Sequence, residues 1–140
     1  MWSKAPSDTI GSLMNSNISD KWVKINGHYV PGRKYSAIKY KAASRGIEFD
    51  VSIDYLDTLW EQQDGRCFYT NEELDITSRD RATASLDRID SNIGYIEGNV
   101  VWVLNEINFA KHTLTEERFL ELIGKVYQHK IVRGRSESFE

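Results

Sequence analysis

Residues 84–112 constrain this chain more than any other stretch, because they read as strand, loop, strand and helix in unbroken order. Ala84-Ser85-Leu86-Asp87-Arg88 has the pattern of a strand, and Asn99-Val100-Val101-Trp102-Val103, dense in β-branched and aromatic residues, is the stronger one. A polar loop, residues 90–98, separates them, and Asn105 to His112 reads as a helix. The same stretch holds the densest set of metal-capable side chains. Asp87 lies on the first strand and Asn108 on the helix, with His112 four residues further on and so on the same helical face. A carboxylate, an amide oxygen and an imidazole converging on one point suit a hard or borderline divalent cation.

The rest of the chain supplies flanking helices. Tyr35 to Arg45 favour helix, with Gly46 placed as its stop. Ile47 to Val51 alternate apolar and acidic residues as a short strand does. Ser52 can cap a helix that carries Ile53, Leu56, Leu59 and Trp60 on one face, ended by Asp64-Gly65. Cys67–Tyr69 and Leu74–Ile76 read as strand fragments around a turn at Thr70-Asn71. Thr115 can cap a last helix, whose stripe is Phe119, Leu122, Ile123 and Val126. The expected division is a polar leader and basic arm over 1–34, a folded domain over 35–129 and a frayed tail over 130–140. An apolar fraction of 40% is enough to bury one core and excludes a disordered chain.

Cys67 is the one cysteine, which excludes an internal disulfide and any cysteine-based structural zinc site. No apolar run approaches the ~18 residues of a membrane span. The start, MWSKAPSDTIGSLMNS, has no basic region followed by an apolar stretch, so no secretory signal is expected. A cytoplasmic, reduced setting is the default. The net charge of −3 hides a segregation. Residues 21–46 carry seven cations and no acid, whereas residues 47–90 carry twelve acids against four arginines. A basic helix beside an acidic working part is one reading, and a merely solvated basic helix is the other.

The stretch ASLDRIDSNIGYIEGNVVWVLNEINFAKH resembles the ββα-metal (His-Me finger) core of HNH endonucleases. It is most similar to the phage and bacterial branch, in which a SLDRID-like strand, a GY loop, an NV strand and an N-x-x-K helix follow in that order. The upstream segment KAASRGIEFDVSIDYLDTLWEQQDGRCFYTNEELD is similar to what precedes the core in that branch, so the resemblance covers roughly residues 35–128. It implies a small α+β domain with a ββα-metal core flanked by helices. The implied function is a divalent-metal-dependent endonuclease that hydrolyses DNA phosphodiester bonds in the cytoplasm of a bacterial or phage-infected cell, using Mg²⁺ or Mn²⁺. DNA is the expected partner, a second copy of the chain is a further candidate, and a membrane is not.

By the same resemblance, Asp87 and Asn108 match metal ligands, and His112 falls where some members place another. Asn99 matches the asparagine that pins the loop to itself, and Lys111 matches a helix lysine suited to a phosphate contact. Arg88 stands where the family has its general-base histidine, and a guanidinium cannot accept a proton from water. It is read as a phosphate clamp or as a partner for Asp87 or Asp90. That departure supports the alternative, an inactive HNH-like domain that only binds nucleic acid or a partner. With no cysteine pairs, packing around Trp102, Phe109 and Phe119 is expected to hold the fold. Lys34, Lys39, Lys41 and Arg45 are the expected backbone-tracking surface. Asp87→Ala is expected to leave the fold intact, and His28 and His129 are read as bystanders.

Overall fold

Strands β2 (Ala84–Arg88) and β4 (Val100–Leu104) pair antiparallel, with Asp87 opposite Val101 and Leu86 opposite Trp102. The computed structural model from which this is read describes residues 22–138, so residues 1–21 of the expected leader and basic arm lie outside the described residues. Val100 to Val103 are all buried because β4 is covered on both faces. Val100 and Trp102 join one cluster with Leu56, Trp60 and Ile76, while Val101 and Val103 join a second with Cys67. Helix α3 (Asn105–Lys111) follows β4 without a linker, completing the expected strand, loop, strand and helix. The chain is thus a small α+β domain.

Before this core come helix α1 (Gly32–Ser44), the two-residue strand β1 (Phe49–Asp50) and helix α2 (Ile53–Gln62). Ser52 caps α2 as expected, its Oγ accepting from the Tyr55 amide at 3.0 Å. Gly65 ends the turn after α2 at φ +64, where an added Cβ would lie 2.7 Å from Trp22 Nε1. Only glycine fits there without a shift. β1 pairs in parallel with β3 (Tyr95–Ile96), which anchors the 90–98 loop to the segment after α1.

The free edge of β4 is closed by a side chain. The buried Gln63 accepts from Trp102 N and donates to Trp102 O, both at 2.8 Å. Phe68 N also donates to Trp102 O, at 2.9 Å. The strand fragments expected at 67–69 and 74–76 are therefore replaced by an irregular hairpin with one bridge, Arg66 to Glu73.

Helix α4 (Glu116–Val126) is capped by Thr115, again as expected. The chain then continues through a π-helical stretch, Tyr127–Val132, into α5 (Arg133–Ser138), so residues 130–138 are helical rather than frayed. Tyr29 and Val30 are core residues, which moves the start of the packed domain ahead of residue 35. Among the described residues, no helix is long and apolar enough to cross a membrane.

Candidate metal and phosphate cleft

Asp87 is the fourth residue of β2, and it is 5% exposed. The last residue of α3, Lys111, is fully buried beside it, its ammonium 3.2 Å from Asp87 Oδ2. Lys111 Nζ donates to the carbonyls of Arg88 at 2.8 Å and Ile89 at 3.3 Å. Its place under the strand overturns the expected phosphate contact, because no ligand can reach it. Lys111 is a positioning residue that ties the end of α3 to the end of β2. The contact with Asp87 is an ion pair without hydrogen-bond alignment, so Asp87 Oδ2 has no hydrogen-bond donor. Burial raises the Asp87 pKa above the ordinary value, against the opposing pull of Lys111 and Arg88. Oδ2 is buried against the Lys111 ammonium, so a cation in the cleft would be met by the other carboxylate oxygen.

Asn108 and His112 come from the helix that covers this strand. Both line one cleft with Asp87 and Arg88, with a volume of about 370 Å³. Among the described residues, neither the Asn108 amide nor the His112 imidazole has a hydrogen-bond partner. His112 lies just past α3, at φ +47, ψ −117, so it reaches the cleft by a turn and not by helical spacing. For a residue with a Cβ, that backbone conformation costs on the order of 1–3 kcal/mol. Asp87, Asn108 and His112 could thus hold a divalent ion, and their donors are of the kind Mg²⁺ or Mn²⁺ accepts.

Arg88 lines the same cleft, and one of its terminal nitrogens is held by the loop. Nη1 donates to Ser91 O at 2.8 Å and Ile93 O at 3.1 Å, and the guanidinium lies 5.3 Å from the centre of the Tyr95 ring. It clamps the loop and partners neither Asp87 nor Asp90 through an ion pair. Asn99 pins that loop from within, as expected. Its Oδ1 accepts from Asp90 N at 2.9 Å, and its Nδ2 donates to Asp90 O at 3.1 Å and Gly94 O at 2.9 Å. Asn99 and Lys111 shape the cleft without lining it.

A neighbouring groove of about 310 Å³ shares Arg45, Leu86, Tyr95, Asn105 and Asn108 with the cleft and extends it along α1. Lys34 and Lys41 line it beside Arg45. The three fall at i, i+7 and i+11, one stripe of the helix, whereas Lys39, at i+5, lies off that stripe and outside the groove. Lys39 is exposed on another flank of α1. Burial lowers the Lys34 pKa, and the nearby Arg33 and Lys41 lower it further. Cations crowded to that degree favour an anion between them.

His28 is not a bystander in the packing. Its Nδ1 lies 2.6 Å from Asp57 Oδ2 and 3.5 Å from Asp54 Oδ1, and Asp57 Oδ1 also accepts from Val30 N. The three side chains fasten the segment before α1 to α2, and none lines the cleft. Sequence reading misses them because the partners are 29 residues apart. Phe109, expected in the core, is instead 81% exposed at the mouth of the cleft.

No family model matches the chain. It is similar to an uncharacterized 29.0 kDa protein from the dda-modA intergenic region of Enterobacteria phage T4, at 29% identity over 64% of this chain and 35% of that protein. It is also similar to an uncharacterized protein of Acanthamoeba polyphaga mimivirus, at 31% identity over 62% of this chain and 15% of that protein. The chain therefore spans about a third or less of the length of these relatives. No solved structure matches it.

Proposed function

We propose that this chain is an HNH-like nuclease domain of viral type, which hydrolyses DNA phosphodiester bonds with the help of Mg²⁺ or Mn²⁺. One observation carries the reading: Asp87, Asn108 and His112 share a cleft with Arg88, and a groove lined by Lys34, Lys41 and Arg45 runs into it. When bound, the cation supplies charge neutralisation at the phosphate and assistance to the leaving oxygen. Asp87 and Asn108 hold it, with His112 beside them. Arg45 at the junction of cleft and groove neutralises phosphate charge, and the α1 stripe keeps the strand in register without reading bases. Asn99 and Arg88 fix the loop that forms one wall. Arg88 cannot act as base, because a guanidinium stays protonated.

The alternative reading is a binding-only domain, and an arginine in place of a general base favours it. Incubation of supercoiled plasmid with pure protein separates the two. The nuclease reading expects nicking with Mn²⁺ or Mg²⁺ that stops with chelator and in Asn108→Ala. Salt-sensitive binding with no cutting under any metal selects the alternative.

A further inference from the structure

Phe109 is the most exposed large apolar side chain among the described residues, and it stands on the wall of the cleft between Asn108 and His112. A single exposed phenylalanine on a protein surface is ordinary. Its surroundings make this one informative. Two aromatic side chains line the cleft, Tyr95 and Phe109. The Tyr95 ring is already covered, by the Arg88 guanidinium at 5.3 Å and by Phe49 at 5.8 Å. No ring or cation stacks on Phe109 among the described residues. Its neighbours along the wall, Asn105, Asn108 and His112, are polar, so it is not the centre of an apolar patch of the kind a protein partner covers. The groove's cations suit a phosphate backbone, and a bare aromatic ring on the adjoining cleft wall offers a face for a flat, apolar group attached to it.

We infer that Phe109 stacks on a nucleobase, and that the cleft takes DNA whose base next to the bound phosphate is unstacked, in a single strand or a locally opened duplex. The inference rests on the nucleic-acid reading proposed above and adds the substrate form. A base inside an intact duplex has both faces occupied by its neighbours, so it cannot lie on the ring. A groove that tracks phosphates beside an aromatic platform is how proteins bind single strands without reading sequence.

The test is fluorescence anisotropy, in chelator to prevent cutting, with a short labelled single-stranded oligodeoxynucleotide and the same sequence as a duplex. Wild type should bind the single strand more tightly. Phe109→Ala should weaken single-strand binding by about 5- to 150-fold, the worth of one stacked base, and change duplex binding little. Phe109→Trp should restore it and Phe109→Leu should not. The dependence of affinity on salt should stay the same in all three, since no charge is altered. Unchanged single-strand affinity in Phe109→Ala, or full affinity in Phe109→Leu, overturns the stacking role while a binding wild type leaves the nucleic-acid reading standing. A wild type that binds neither DNA overturns both. Because the ring is exposed, each variant should keep the wild-type thermal midpoint, and the comparison stands on folded protein.

Discussion

The pair formed by Asp87 and Lys111 couples stability to the site more tightly than its sequence suggests. On a helix that ends at the surface a lysine reads as solvated, and an aspartate on a strand reads as facing its ligand. Burying both charges is costly, and the raised Asp87 pKa records that cost. Removing one partner is worse, because it leaves the other charge buried alone. Asp87→Ala should therefore destabilise the domain by about 3–5 kcal/mol in urea unfolding, contrary to the expectation of an intact fold. In a Lys111→Met background the same substitution should cost much less. Equal losses in both backgrounds would show that the pair is not coupled. Activity lost in Asp87→Ala consequently says little about metal, and Asn108→Ala is the cleaner variant for that purpose.

At the scale of elements, β2, β4, α3 and the caps Ser52 and Thr115 were legible because local pattern and capping chemistry agree there. What escaped depends on distant partners. The parallel β1–β3 pair joins Phe49 to Tyr95, and the Gln63 side chain closes an edge 39 residues away. The candidate ligands Asp87, Asn108 and His112 were named from the sequence, and the fold places all three on the lining of one cleft. Lys111 and Phe109 were misplaced, because burial and facing are set by packing and not by residue type.

The 90–98 loop depends on Asn99, which is buried and bonded at both ends of its amide. Asn99→Ala should cost roughly 2–3 kcal/mol and speed hydrogen exchange at the Asp90 amide, which loses its acceptor. Unaltered exchange there would mean that Arg88 and the β1–β3 pair hold the loop without Asn99. The turn after the irregular hairpin titrates. Asp75 accepts from Ser78 Oγ at 2.6 Å, Ser78 N at 3.0 Å and Thr77 N at 3.1 Å, and these bonds hold its pKa below the ordinary value. A carboxylate depressed on folding contributes stability above its unfolded pKa, and that contribution is lost as pH falls through the folded one. Wild type should therefore lose stability on acidification more steeply than Asp75→Asn. Parallel pH profiles in urea unfolding would contradict this.

Across the whole molecule, a chain of net charge −3 binds nucleic acid only if its cations are gathered, and Lys34, Lys41 and Arg45 are gathered along one helix stripe. Replacing all three with alanine should reduce the slope of log affinity against log salt by roughly two to three, whereas Lys39→Ala should leave it unchanged. The opposite pattern would place the DNA surface on the other flank of α1. A second group of metal-capable side chains, His28, Asp54 and Asp57, lies away from this groove. The central claim, that the cation belongs in the cleft, is therefore tested most directly by Mn²⁺ titration calorimetry on wild type, Asn108→Ala, His112→Ala and His28→Ala. The account predicts that Asn108→Ala abolishes or strongly weakens binding, that His112→Ala weakens it, and that His28→Ala binds as wild type does. Binding retained in Asn108→Ala and lost in His28→Ala would contradict it.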